Sequence, residues 1–162
     1  MSFTSLQCFA ALIVTALTVN AESCHHGWIK RGSSCYAFVT GAPDTWTEAM
    51  AFCTGISAKL VEIETAAEND FLRLHLIDRG TNDSFWIGLT DTIFEGEWLW
   101  MSSQSTPVYK DWSPGQPNNY QQNENCAHLY KPFLFHWNDY HCDAKQSFIC
   151  EKELNLDIGI VG

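Results

Sequence analysis

Hydrophobic residues recur with helical spacing in two segments, and each segment opens with a capping pattern. The first begins at Thr45-Trp46-Thr47-Glu48 and places these apolar residues on one helical face: Trp46, Ala49, Met50 and Cys53. The second begins at Thr65-Ala66-Ala67-Glu68 and continues through Phe71, Leu72, His75 and Leu76 until Arg79-Gly80 ends it. The pattern therefore predicts two amphipathic helices in the first half of the chain.

Shorter apolar runs rich in β-branched and aromatic residues predict strands. These runs cover residues 60–63, 85–89, 98–101, 126–130 and 148–151. Between Lys110 and Asn125 the pattern gives way to a polar loop holding Pro114, Gly115 and Pro117. A loop of this length inside a compact domain is usually functional or disordered. Two helices followed by strands, with no repeat and no linker, predict one α+β domain.

Composition and charge narrow the classes of partner. The chain has 162 residues, of which 14% are aromatic, so it can build a core and is unlike a disordered chain. Its formal net charge is −10, which argues against nucleic acid and anionic membranes as partners because phosphates would be repelled. The acidic excess suits a protein that binds cations, but it also suits one that is simply soluble.

The amino-terminal segment predicts secretion. An apolar run from Phe9 to Val19 ends in the small-residue sequence Val19-Asn20-Ala21, which is typical of a signal-peptide cleavage site. The run is too short to span a bilayer, and no later segment approaches the roughly 20 apolar residues that a membrane helix needs. We expect residues 1–21 to be a signal peptide, 22–153 a single domain and 154–162 a tail.

The cysteines agree with an extracellular protein. Of seven, Cys8 lies in the predicted signal peptide, and the six that remain are an even number, which predicts a disulfide framework without fixing its pairing. Zinc binding by Cys24-His25-His26 is disfavoured because no second Cys or His cluster stands at ligand spacing.

The polar loop carries the candidate chemistry. Residues 116–126 supply amides around Pro117 and a carboxylate beside a cysteine, and Trp137-Asn138-Asp139 adds an amide and a carboxylate. One interpretation is a solvated surface loop, and the other is a cage of oxygen ligands, which is what calcium prefers. Glu124 and Asp139 could be imagined as a glycosidase pair, but there is no nucleophile motif, so we expect no enzyme.

Several motifs together resemble those of the C-type lectin-like domain family, and the resemblance covers nearly all of residues 24–152. Their sequences are most similar to those of the perlucin-like lectins of molluscs. They are Trp86-Ile87-Gly88-Leu89, Glu97-Trp98-Leu99-Trp100, Trp112-Ser113-Pro114-Gly115-Gln116-Pro117-Asn118, Glu124-Asn125-Cys126, Trp137-Asn138-Asp139-Tyr140-His141-Cys142 and Phe148-Ile149-Cys150-Glu151.

The resemblance implies a fold of two helices, small antiparallel sheets and a long calcium-binding loop. It implies three disulfides: Cys24 with Cys35, Cys53 with Cys150, and Cys126 with Cys142. It also implies a cis bond before Pro117 and a Ca²⁺ ion held by Gln116, Asn118, Glu124, Asn138 and Asp139. The sugar would bind at Gln116, Asn118, Glu124 and Asn138, with Tyr120 as a candidate stacking ring. An auxiliary calcium site maps onto Asp91, Glu95, Asn119, Glu124 and Asn125, although Asp91 and Glu95 could equally be turn residues.

The chain departs from the family pattern at Gln116 and Asn118, where sugar-binding members pair a carboxylate with an amide. Because both residues are amides, the usual rule that predicts the sugar class from the position of the carboxylate does not apply. Mannose-type and galactose-type sugars are therefore both expected partners. The expected function is a secreted, calcium-dependent lectin in innate recognition of microbial glycans. The alternative is a shell matrix protein that binds calcium carbonate. Multivalency would require a homo-oligomer, and Asn82-Asp83-Ser84 is a candidate glycosylation site.

Overall fold

Both predicted helices form, and a threonine caps each of them. The computed structural model describes residues 17–21, 23–154 and 156–160, so most of the predicted signal peptide, residues 1–16, lies outside it. Helix α1 spans Trp46–Gly55 and helix α2 spans Ala66–Asp78. The Glu48 amide donates to Thr45 Oγ1 at 3.3 Å, and the Glu68 amide donates to Thr65 Oγ1 at 3.2 Å. The capping patterns therefore locate both helix starts correctly.

The described residues also form ten strands. They are β1 Leu17–Ala21, β2 Ile29–Arg31, β3 Ser34–Asp44, β4 Lys59–Leu60, β5 Phe85–Thr90, β6 Leu99–Trp100, β7 Cys126–Tyr130, β8 His136–Tyr140, β9 Gln146–Glu153 and β10 Leu156–Ile160. Strands β1 and β10 pair antiparallel in a two-stranded sheet. The other eight join in one sheet with the order β2-β3-β9-β5-β7-β8, in which β4 also pairs with β9 and β6 with β5.

One parallel pairing joins the two halves of the large sheet. Phe85 and Trp86 of β5 lie beside Ser147 and Phe148 of β9, whereas every other pair of strands in this sheet is antiparallel. Gly88 lies in β5 where the chain passes close to β4, because a Cβ atom there would meet the Leu60 carbonyl oxygen at 2.9 Å. The α+β class is confirmed, and its sheet is continuous.

Some strand predictions differ from the structure in extent or were missed. Residues 60–63 were expected to form a strand, but strand β4 ends at Leu60. The backbone of Val61 forms hydrogen bonds outside a regular ladder, because its amide donates to the Ile149 carbonyl and its carbonyl accepts from the Gly88 amide. Strands β2 and β3 precede α1, whereas the sequence placed the helices first. Strand β8 was also missed, although it carries Trp137-Asn138-Asp139.

Three disulfides and a large apolar core hold the elements together. Cys24 pairs with Cys35, Cys53 with Cys150 and Cys126 with Cys142, which are the pairs implied by the resemblance. Trp137 of β8 is fully buried and packs edge-on against Trp100, Tyr109 and Trp112. Among the described residues no helix has the length and apolarity to cross a membrane.

Candidate functional site

The long polar loop is fastened to strand β8 by one carboxylate. Asp139 Oδ2 accepts hydrogen bonds from the backbone amides of Asn118 at 2.9 Å and Asn119 at 2.6 Å. The Gln116–Pro117 peptide bond just before these residues is cis. Further back in the loop, the Ser113 amide donates to the Trp137 carbonyl at 2.8 Å. The segment 113–119 is therefore held against the Trp137-Asn138-Asp139 motif.

The remainder of the loop folds back on itself through side-chain oxygens. The Tyr120 amide donates to Asn118 Oδ1 and to Glu124 Oε2, each at 3.0 Å. The Glu124 amide donates to Asn119 Oδ1 at 3.0 Å. Glu124 is only 6% exposed, although it belongs to a polar loop. These bonds bring Asn118, Glu124 and Asp139 to one place.

Unpaired buried oxygens concentrate at this place. In the described part of the chain, seven buried side-chain nitrogen and oxygen atoms lack a hydrogen-bond partner. Four of them are oxygens of predicted calcium ligands: Gln116 Oε1, Asp139 Oδ1, Asp91 Oδ1 and Asn125 Oδ1. A buried polar atom without a partner is costly, so such atoms need an explanation. A cation bound by these oxygens would supply the missing partner.

The carboxylates of the site lie close enough to repel one another. Burial raises the pKa of Glu124, and the nearby negative charge of Asp139 raises it further. Burial likewise raises the pKa of Asp91, to which the charges of Glu95 and Asp139 add. A cation would reverse this electrostatic effect by favouring the ionised forms. Among the described residues no three His, Cys, Asp or Glu side chains form a cluster that could hold a metal ion.

Asn138 is supported from behind by a buried imidazole. Its Nδ2 atom lies 3.1 Å from His128 Nε2 and also contacts the Asp139 carbonyl oxygen. An amide nitrogen can only donate, so His128 Nε2 accepts and Nδ1 donates to Gln146 Oε1 at 2.7 Å. His128 is 1% exposed, and burial lowers its pKa to about 4. The chain from Gln146 through His128 thus fixes the orientation of the Asn138 amide.

A second polar network anchors Trp137. Its indole Nε1 donates to Asn69 Oδ1 at 2.8 Å, and Asn69 Nδ2 donates to Asp111 Oδ2 at 2.6 Å. The same carboxylate oxygen accepts from His136 Nδ1 at 2.9 Å. Helix α2 therefore positions the strand that bears Asn138 and Asp139. Sequence reasoning missed His128, Gln146, Asn69 and Asp111, although a histidine inside the apolar run 126–130 was a visible irregularity.

The residues of the predicted auxiliary site are only partly arranged for a metal. Asp91 is buried and its amide donates to the Asn125 carbonyl at 3.2 Å, so these two residues are neighbours. The other Asp91 oxygen, Oδ2, accepts from the Gly96 amide at 2.8 Å. Glu95 is exposed, and Asn119 Oδ1 is already used by the Glu124 amide. The structure thus gathers Asp91 and Asn125, leaves Glu95 exposed and engages Asn119 Oδ1 in a hydrogen bond within the loop.

Two further features frame the site. The Cys126–Cys142 disulfide joins the residue after Asn125 to the end of the segment that carries Asn138 and Asp139. Tyr120 is 61% exposed and stands between the two ends of the amide-rich loop. Its ring is therefore free to meet a ligand from solvent.

Comparisons with known proteins agree with this arrangement. The family model described as the lectin C-type domain matches residues 42–152. The galactose-specific lectin nattectin of Thalassophryne nattereri is 36% identical over 154 residues, covering 94% of this chain and 94% of that protein. Perlucin of Haliotis laevigata is 36% identical over 131 residues, covering 80% of this chain and 83% of that protein, in line with the expected likeness to mollusc lectins.

A solved structure gives the same answer for the fold. The carbohydrate-recognition domain of the mouse scavenger receptor C-type lectin superposes with a TM-score of 0.76 at 35% identity, covering 82% of this chain and all of that domain. The family match spans more than half of the chain. The fold, the three disulfides and the long polar loop of the chain all agree with that match. The chain belongs to the C-type lectin domain family.

Proposed function

We propose that this carbohydrate-recognition domain binds sugars through a calcium ion held at the polar loop. As a member of a carbohydrate-binding family, the chain is a binding protein rather than an enzyme. The residues that would hold the ion are Gln116, Asn118, Glu124, Asn138 and Asp139. The observation that carries the proposal is the set of buried oxygens without hydrogen-bond partners, which includes Gln116 Oε1 and Asp139 Oδ1.

The chemistry of the donor set supports calcium over other metals. All five side chains offer oxygen, and hard cations such as Ca²⁺ prefer carboxylate and amide oxygens to nitrogen or sulfur. Bound calcium would accept two hydroxyl oxygens of a sugar as its remaining ligands. The amide NH₂ groups of Gln116 and Asn118 would donate to those hydroxyls, and Glu124 would accept from one of them. Asp139 would keep the loop in place through Asn118 and Asn119.

The sugar class follows from the same residues. With amides on both sides of Pro117, neither of these two positions offers the charged acceptor that would favour one arrangement of vicinal hydroxyls. We infer binding to both mannose-type and galactose-type sugars, and the galactose specificity in the name of nattectin is consistent with the second.

Asp91 and Asn125 could hold an auxiliary ion, since one oxygen of each is buried and unpaired.

The location of the protein, outside the cell, is also part of the proposal. Three disulfides and the predicted signal peptide at 1–21 support a secreted protein, because disulfides persist in oxidising compartments. The sugar-binding domain would then be 22–153, with 154–162 as a tail. We propose recognition of microbial surface glycans as the role of the secreted lectin.

A single isosteric substitution tests the calcium site. Glu124→Gln keeps the shape of a buried ligand but removes one of two formal negative charges, so sugar binding in 5 mM calcium should fall roughly tenfold or more. Glu97→Gln is the matched control, since Glu97 is an exposed carboxylate with no proposed ligand role. Binding is measured by calorimetry with D-mannose and D-galactose, with and without chelator. Sugar binding that survives excess chelator would show that the proposed function is wrong.

A further inference from the structure

A cleft opens on the outer face of strands β7 and β8, and nothing in the proposed calcium site uses it. Its volume is about 390 Å³, within the range of roughly 300–1,000 Å³ that ligand sites occupy. Residues of β7 and β8 form one wall, and Thr40 of β3, Asp83 and Gln146 of β9 line the others.

Aromatic rings make up the strand wall. His128 is stacked between Tyr130, at 5.0 Å between ring centroids, and Tyr140, at 5.2 Å, with interplanar angles of 14° and 7°. Both tyrosines are half-buried, whereas His128 is buried. The apolar C–H faces of a sugar pack well on aromatic surfaces, and the Tyr hydroxyls add polar ends.

The cleft also offers a ligand groups that can form hydrogen bonds. The buried Gln146 Nε2 atom has no partner, because the amide oxygen of Gln146 is the atom that contacts His128. Tyr130 and Tyr140 bring two phenol hydroxyls to the cleft, each able to donate and to accept a hydrogen bond. Ser84 Oγ accepts from the Lys131 amide at 3.1 Å and keeps its own proton for donation. A ligand with many hydroxyls would match these groups.

The two charged side chains that line the cleft, Asp83 and Lys145, already contact other groups of the protein, and the Asp83 carboxylate would repel an anionic ligand. Asp83 Oδ2 accepts from Ser147 Oγ at 3.0 Å. Lys145 Nζ lies 3.5 Å from Asp44 Oδ1. An uncharged, hydroxyl-rich ligand therefore suits the cleft better than a phosphate or a carboxylate does.

The cleft lies beside the part of β8 that carries Asn138 and Asp139. Tyr140 directly follows Asp139, and the His128 imidazole that lines the cleft contacts Asn138 Nδ2 at 3.1 Å. We propose that the cleft is an extended subsite that takes the further units of a neutral oligosaccharide whose first unit is bound at the calcium. This inference rests on the proposed function, and it adds a preference for oligosaccharides over single sugars.

The test compares D-mannose and D-galactose with the linear trisaccharides mannotriose and galactotriose, by calorimetry in calcium. All proteins carry Asn82→Gln, so that a glycan attached at that exposed residue cannot fill the neighbouring cleft. At least one trisaccharide should bind roughly fivefold tighter than its single sugar, an increment typical of added aromatic contact. Thr40→Arg, which fills the cleft from an exposed position, and Tyr130→Ala should each remove that gain without changing single-sugar binding.

Thr47→Arg is the matched control, because Thr47 is an exposed threonine on α1 that does not line the cleft. It should keep the full trisaccharide gain. Equal binding of single sugars and both trisaccharides, or a gain that survives Thr40→Arg, overturns the subsite and leaves the calcium site standing. A different result would contradict the proposed function itself, and the subsite with it. That result is that single sugars do not bind in calcium, or that they bind equally well in chelator.

Discussion

Gln116 and Asn118 flank Pro117 with two neutral amides, which lowers the charge of the proposed calcium site. Glu124 and Asp139 are then its only formal anions, and calcium affinity is tuned partly by the number of charged ligands. The same two amides leave sugar hydroxyls with donors and without a charged acceptor at these positions. Strong discrimination requires a buried polar group that the wrong ligand leaves unpaired, so discrimination here should be weak.

Single acidic substitutions should restore both properties. Gln116→Glu should tighten calcium binding roughly tenfold and favour mannose, because it adds a charged ligand and a charged acceptor. Asn118→Asp should tighten calcium similarly and favour galactose, with the exposed Tyr120 ring available for stacking. Calcium titrations in the presence of each sugar measure both effects.

Gln122→Glu serves as the control for these variants, since Gln122 is an exposed glutamine in the same loop without a ligand role. It should leave both affinities nearly unchanged. If the unaltered protein already prefers one sugar class a hundredfold, or if neither substitution moves the preference, the argument from two amides fails.

At the scale of elements, strand β9 carries a buried carboxylate that works against folding at neutral pH. Glu151 is 5% exposed, and burial raises its pKa to about 7. Ser34 Oγ donates to its Oε1 at 2.8 Å, and Lys59 Nζ lies 3.9 Å from Oε2, which offsets only part of the desolvation. The native protein therefore keeps a proton on Glu151 at a pH where the unfolded chain has lost it.

This proton gives stability a defined pH dependence. The stabilising contribution is complete below the ordinary glutamate pKa of 4.5 and is lost as the pH rises through 7, in total roughly 3 kcal/mol. Urea unfolding from pH 4.5 to 7.5 measures it as the difference between the wild type and Glu151→Gln. Glu153→Gln, an exposed glutamate on the same strand, should show no such difference. Parallel stability curves for wild type and Glu151→Gln would contradict the assignment.

Elements with a clear local pattern, such as the two capped helices and the apolar strands β5, β7 and β9, could be predicted, whereas elements without such a pattern could not. Thr45 and Thr65 cap helices within four residues of sequence, so both helix starts were readable. Strand β3 depends instead on its register with β9, more than a hundred residues away. Strand β8 contains three polar residues among five, which hides it from an apolar pattern, and it forms because each residue pairs with β7.

The same limit holds for the whole site. The oxygen-bearing residues could be named from motifs, because those motifs stand directly in the sequence. The sequence could not show which of these oxygens stay unpaired. Asp139 Oδ2 accepts hydrogen bonds from two loop amides while Oδ1 accepts none, and this difference depends on the folded loop. The support of Asn138 by His128 and Gln146 likewise joins three separate segments.

For the molecule as a whole, calcium should act as a stabilising ligand. Without an ion, the fold bears buried unpaired oxygens and neighbouring carboxylates whose pKa values burial raises, in a chain of net charge −10. Binding to the native state alone at a hundred times the dissociation constant adds about 2.7 kcal/mol, which for a domain of this size raises Tm by roughly 5–10 °C. Calorimetric melting with calcium against chelator measures the shift.

Two comparisons make the cause of that shift specific. Magnesium at the same concentration should raise Tm much less, because it demands a tight octahedral site and gives up its water reluctantly. Glu124→Gln should lose most of the calcium shift, since its weaker site is less saturated at the same ion concentration, whereas Glu97→Gln should keep it. An equal shift in all three proteins would mean that calcium acts on the general acidic surface, and the loop could then not be its site.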